Sequence, residues 1–378
     1  WHTRCGSAER NAEKCSCSWC AARAAARQFA GEASRVQDRG CAMRIISSAL
    51  APLTLAVVCS CSPRADTAGF DVVRVSDRGY LTSVPIYLAD EKGFFAKEHI
   101  KLVYEQPPAN STQMLPLLER GELDVMPTTP AAAFYAAVVQ GGKSRIVADR
   151  GHIAPTGCDY DGFMVRRGLF KTDSPTTNQL RGIRFSVGTS NMPAYLTEKY
   201  LSSRGLRVED MKTQVLNETI EAQALESGAL DGIHASEPHL SQLVAEGHRL
   251  IGPSRLYAPG AQYGVLIFGP NLTVKRRDIG LRFMKAYLLG IREVNRGLIP
   301  ENIAILVKRT SLDSRAAKSI CLPAMNADGA VNLESMLDFQ DWVVRRKKLE
   351  RTTGIDGAVD MSFARQAAKE LGIEPSTR

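Results

Sequence analysis

The chain has 378 residues, 44% hydrophobic and 23% charged, with a formal net charge of +8. That length and balance provide for about two globular domains and exclude a disordered or collagen-like chain. Of the 48 Lys/Arg and 40 Asp/Glu, residues 1–60 hold 8 and 4, so the remainder carries only about +4, and nucleic-acid binding is disfavoured.

Residues 1–42 contain five of the nine cysteines, no apolar periodicity and no Met at their head. Cys15, Cys17 and Cys20 lack the spaced Cys/His partners a metal knuckle needs. The stretch therefore reads as sequence upstream of the true start at Met43. Residues 43–60 read as a signal peptide: Arg44 supplies the charge, and Ile45–Val58 is an apolar run too short to span a bilayer comfortably. Val58-Cys59-Ser60-Cys61 resembles a bacterial lipobox with lipidation at Cys61; Cys59, or plain cleavage near Ser60, are the alternatives. An exported protein is expected, in the periplasm or on the outer face of the cell membrane, touching the membrane only through a lipid anchor. Beyond Cys61 only Cys158 and Cys321 remain, and they pair only if the fold brings them together.

The first lobe opens with the apolar strand Val72–Val75, the polar turn 76–83 and a helix from Val84 to Lys92, stopped at Gly93. Ile100–Tyr104 is a strand, and Asn110-Ser111-Thr112 starts the next helix. That helix runs into Leu118-Glu119-Arg120-Gly121-Glu122-Leu123-Asp124, which recurs 107 residues later as Leu225-Glu226-Ser227-Gly228-Ala229-Leu230-Asp231. Pro85-Ile86-Tyr87-Leu88 and Pro193-Ala194-Tyr195-Leu196 recur at an offset of 108. Two matches at nearly one offset point to two copies of one βαβα unit, with a period far too long for a solenoid. In each copy a helix ends on Gly, a short apolar strand follows, and a hydroxyl residue with Pro opens the next helix. Gly162–Val165 begins the second lobe, Tyr263–Phe268 returns the chain to the first, and helices follow to the C-terminus, one ending in Arg345-Arg346-Lys347-Lys348. The expected lobes are 67–163 with 265–378, and 164–264. Strands alternating with helices imply α/β lobes, each a mostly parallel sheet with helices on both faces.

Pro85–Phe95, Leu118–Val125, Leu180–Thr189, Ser236-Glu237-Pro238 and Val359–Phe363 resemble the substrate-binding proteins of bacterial ABC importers. The family concerned takes up sulfonates, taurine, nitrate and pyrimidine precursors of thiamine, and the resemblance spans nearly all of the chain after the leader. It implies the two-lobed periplasmic-binding-protein type II fold with two crossover strands, closing on a small-molecule ligand. It also implies an ABC permease and its ATPase as partners, no cofactor or metal, and a monomer. Many members carry Trp before the Glu-Pro, where this chain has His234-Ala235-Ser236; that departure leaves the ligand class open.

In open α/β sheets, ligands bind beyond the carboxyl ends of the strands. That rule aims four helix starts, near Ser83, Thr129, Asn191 and Ser236, at one cleft. The expected contacts are Tyr80, Thr82, Ser83, Ser111, Thr112, Thr128, Thr129, Thr189, Ser190, Asn191, Ser236, Glu237 and Tyr263. Hydroxyls and free N–H groups at helix starts favour an anionic or strongly polar group. Simple capping is the alternative for any one hydroxyl, and core filling the alternative to ligand stacking for the tyrosines. Glu237, Asp159 and Asp161 would favour a donor-bearing group if they face the cleft. Arg78 is the one cation in these turns, and His234 reads as a satisfied sheet-edge histidine. Thiamine-pyrimidine synthases resemble this fold but depend on a dense cysteine motif and histidines, which this chain lacks. A ligand-sensing module for a membrane receptor is the third alternative.

Overall fold

The computed structural model of the chain describes residues 69–77, 79–106, 111–188, 190–216, 218–310 and 312–376. The expected upstream stretch, the signal peptide, Cys61, Arg78 and Thr189 lie outside them. Ten strands are present among the described residues: β1 (Asp71–Ser76), β2 (Ile100–Glu105), β3 (Val125–Thr128), β4 (Arg145–Asp149), β5 (Asp161–Val165), β6 (Arg184–Ser186), β7 (Lys212–Gln214), β8 (Gly232–Ser236), β9 (Arg249–Pro253) and β10 (Val265–Phe268). They form two five-stranded sheets, ordered β2-β1-β3-β10-β4 and β7-β6-β8-β5-β9. In the first, β1 runs parallel to β2 and β3, and β10 is antiparallel to both its neighbours. In the second, β6, β7 and β8 repeat the parallel set and β5 takes the antiparallel place. The two copies read from the sequence are thus one sheet order built twice, and each antiparallel strand follows a crossing of the chain.

The repeated Asp does the same work in each copy. Asp124 accepts the Arg74 N–H at 2.9 Å, joining β1 to the start of β3, and Asp231 accepts the Arg184 N–H at 2.9 Å, joining β6 to the start of β8. The glycine before it closes a helix in the left-handed region, at φ 76° for Gly121 and 74° for Gly228, where a side chain would be strained.

Helices α1 (Val84–Glu91), α2 (Leu115–Arg120) and α3 (Ala132–Val139) belong with the first sheet, and α4 (Met192–Ser203), α5 (Glu218–Glu226) and α6 (His239–Ala245) with the second. The chain then returns through β10, whose four apolar side chains are at most 1% exposed, as a strand covered on both faces requires. Helix α7 (Arg277–Asn295) packs on α1, and helix α8 (Leu333–Arg345) packs on both α3 and α4.

Two segments, 150–160 and 254–264, connect the sheets and run side by side. Gly264 N–H donates to Gly151 O at 2.8 Å, and Ile153 N–H to Ala261 O at 2.9 Å. The buried Gln262 side chain donates to Asp149 and to the Gly151 and Gly264 carbonyls, tying both segments together. Cys158 and Cys321 form a disulfide across a separation of 163 residues, which the sequence left open. The sequence reads Gly162–Val165 and Tyr263–Phe268 as the crossings between lobes, but β5 and β10 lie inside the sheets, and all five residues of β5 pair within the second one. An apolar run buried on both faces looks alike at a lobe boundary and at a sheet centre.

Candidate ligand-binding cleft

The carboxyl ends of the parallel strands of both sheets face the crossover segments, and there the expected residues divide into groups. Ser83 and Thr82 are 2% and 3% exposed at the start of α1. Ser83 holds the N-cap position but its side chain caps nothing; its Oγ accepts Arg150 Nη2 at 3.0 Å. Tyr80 is half-buried, its ring centroid 6.0 Å from the Arg150 guanidinium carbon. Ser111 and Thr112 lie in a short 3-10 turn before α2.

Across the cleft, Ser190 O accepts the Ala132 N–H at 3.1 Å, and Ala131 and Asn191 form an antiparallel bridge. The starts of α3 and α4 therefore meet, beside a recess lined by Leu115, Met126, Thr128, Thr129, Ala131 and Phe134. Asn191 is a true N-cap, accepting the Ala194 N–H at 3.2 Å. Thr129 is not a cap, because α3 begins at Ala132 with Ala131 at its cap position. Nor is Ser236, which ends β8; α6 has Pro238 at its cap position. Propensity places hydroxyl residues at helix starts, but only tertiary packing says whether the hydroxyl turns back to its own helix.

Glu237 is 5% exposed and braces α6 from inside, accepting the Ser241 hydroxyl at 2.6 Å and the Ser241 N–H at 3.1 Å. Burial raises its pKa against those bonds and one from the backbone of Cys321 on the far side of the cleft. Tyr263, 6% exposed, meets Tyr160 edge-on at 5.3 Å.

His234 is not at a sheet edge: β8 stands at the centre of its sheet, and the imidazole is buried 3.3 Å from Asp161. Burial pushes Asp161 up to about 8, with Ser254 opposing and Asp159 adding, and pulls His234 down to about 3. At neutral pH the two are a carboxylic acid beside a neutral imidazole. Asp159 is turned aside, 2.6 Å from Arg255. Glu226, Glu246 and His248 bring ligand-type atoms within 4.8 Å of one another. Two of the three groups are already engaged: His248 bonds Glu226 and the Arg167 N–H, and the Arg167 guanidinium bonds the Glu226 carboxylate and the backbone carbonyl of Glu246.

Sequence reading missed Arg150. The signal was present: it directly follows β4, at the same end of the first sheet as the Thr128-Thr129 turn after β3.

Residues 79–252 match the NMT1-like family. The fold is similar to that of the ligand-binding component of an ABC-type import system from Staphylococcus aureus, with TM-score 0.66 and 13% identity over 79% of this chain and 99% of that one. It is similar to the periplasmic aliphatic sulphonate binding protein from Escherichia coli, at TM-score 0.62 and 16% identity over 76% and 92%. A desulfurization enzyme is also similar, at TM-score 0.55 and 15% identity over 80% and 99%, so binding proteins and an enzyme share this architecture. No curated protein sequence matches. The match to the NMT1-like family is thus confined to residues 79–252, and the chain has the two-lobed fold of the periplasmic binding proteins.

Proposed function

We propose that the protein captures a small polar or anionic organic solute between its two sheets and delivers it to the permease of an ABC importer. The observation that carries this reading is the meeting of the α3 and α4 starts across the cleft, at Ala132 N–H and Ser190 O, with two crossover segments alongside. Capture between lobes needs that arrangement: helix starts from both sides, and connections narrow enough to flex. The ligand contacts belong, on this reading, to the hydroxyl and ring set around Tyr80, Ser83, Thr129, Thr189, Asn191 and Tyr263.

An enzymatic reading finds less support. Both described cysteines are in one disulfide, so neither offers a thiolate nucleophile. The same disulfide supports an oxidising compartment and hence export. No described helix is long and apolar enough to cross a membrane, and lipidation at Cys61 is the proposed tether. Mass spectrometry of the membrane fraction is expected to find acylated Cys61; an unmodified N-terminus beyond it would overturn the tether. The function itself is tested by thermal-shift screening of sulfonates, carboxylates, nitrate, aminopyrimidines and neutral aromatics, with recovery of each stabilising compound. Unchanged recovery is expected, and chemical conversion would favour the enzyme. Stabilisation only by cationic or wholly apolar compounds would defeat the helix-start reading.

A further inference from the structure

Arg150 is 2% exposed, yet it has no ion-pair partner within 4.0 Å among the described residues. Its Nη2 donates to Ser83 Oγ, while its Nε is buried without any acceptor. The carboxylates near it in the chain or across α1 are committed elsewhere. Asp149 accepts from Gly151 N–H, Gln262 and Asn326 N–H and bonds His152, and Asp77 accepts from Tyr87 and Gly79 N–H. Other part-buried arginines of this chain are answered: Arg309 by Asp90 and Glu91, and Arg166 by Asp231.

A buried guanidinium cannot shed its proton to escape the cost of burial. Left without a counter-charge it destabilises the fold, which keeps such a group only where something outside the chain completes it. Its surroundings are those of a receptor. It stands at the carboxyl end of β4, beside the N-terminal end of α1, over the Tyr80 ring, with the Tyr160 and Tyr287 hydroxyls near enough to act on its charge. The Nε and Nη2 atoms form one edge of the guanidinium fork, the edge that meets a planar or tetrahedral oxyanion with two parallel hydrogen bonds.

We propose that Arg150 is the counter-charge for the solute, taking its carboxylate or sulfonate head on the Nε edge with Ser83 alongside. This rests on the capture reading above and names the residue that sets charge preference within it.

Arg150→Met separates this role from a structural one, because the two move apo stability in opposite directions. Removing a buried charge that nothing answers is expected to raise Tm without ligand, whereas removing a structural arginine lowers it. Calorimetry with propane-1-sulfonate, benzenesulfonate and butanoate, each set against its neutral amide, supplies the second readout. The natural protein is expected to prefer the anions by about thirtyfold or more, and Arg150→Met to lose that preference. Arg150→Lys, which keeps the charge but not the fork, is expected to retain charge preference with weaker binding. The proposal is overturned if Arg150→Met binds the anions as tightly as the natural protein, or if it lowers apo Tm. Binding of the neutral amides alone overturns it and leaves capture standing; binding of no compound in the set also overturns it, while capture itself is decided by the wider thermal-shift screen.

Discussion

Asp161 and His234 carry the clearest titration argument at the scale of single residues. Burial raises Asp161 from 3.8 to about 8 and lowers His234 from 6.5 to about 3. Ser254, Tyr257 and Asp159 are the polar neighbours, and none of them is a cation. A raised carboxyl binds its proton better in the folded state, so its contribution is complete below the ordinary value and is lost as pH climbs through about 8. The lowered imidazole works oppositely between about 3 and 6.5, which leaves the window from 6.5 to 8 to Asp161 alone. Folding stability from denaturant melts is therefore expected to fall across that window, and Asp161→Asn to remove the slope. A slope unchanged in the variant would place the proton elsewhere. None of this was legible locally: Asp161 opens an ordinary apolar strand, and its environment comes from β8 and from Ser254, more than 70 residues on.

At the scale of elements, the repeated Leu-Glu-x-Gly-x-Leu-Asp gives two like predictions. Asp124 and Asp231 each join a strand of their own sheet to its parallel neighbour through a backbone N–H. Burial works to raise Asp231, but the hydrogen bonds from Arg184 and Arg166 win and hold it well below the usual carboxylate range. Its contribution is present above the ordinary carboxyl pKa and is lost as pH falls below it. Asp124→Asn and Asp231→Asn are each expected to cost about 2 kcal/mol in urea unfolding, the worth of a charge-assisted bond. A near-neutral result at both sites would remove the Asp from any structural role in the repeat. Helix α8 makes a second element-scale case, since it packs on both α3 and α4. Trp342, 4% exposed, donates to Glu198 of α4 at 2.7 Å, and Tyr195 of α4 donates to Asp338 at 2.6 Å. Trp342→Ala is expected to cost about 3–5 kcal/mol in the same unfolding measurement. Because Trp1 and Trp19 precede residue 60, Trp342 fluorescence in a chain starting at Cys61 reports this contact alone.

For the whole molecule, the Cys158–Cys321 disulfide ties the first crossover to a segment that also bonds Glu237 of the second lobe. A closed loop of that length restricts the unfolded chain strongly, so Cys158→Ser with Cys321→Ser is expected to lose about 2–4 kcal/mol in thermal or urea unfolding. Small-angle scattering is expected to show compaction on adding a solute whose binding calorimetry has confirmed, with movement at 150–160 and 254–264. An unchanged radius of gyration at saturation would mean that the lobes do not move.

What the sequence determined by itself was periodic or local. Strands alternate with helices, a glycine stops each repeated helix, and two motifs recur at offsets of 107 and 108, which was enough to read two α/β lobes of one design. These features follow from backbone preferences and from burial on one side of an element, so each is encoded within a dozen residues. Tertiary structure decided which sheet received β5, that Asn191 caps its helix while Ser83 turns to Arg150, that Cys158 meets Cys321, and that His234 lies at a sheet centre. Hydrogen-bond partners, burial of a charge and covalent pairing depend on groups far apart in the chain, and only the tertiary structure shows that Asp149, next to Arg150, is committed to other groups.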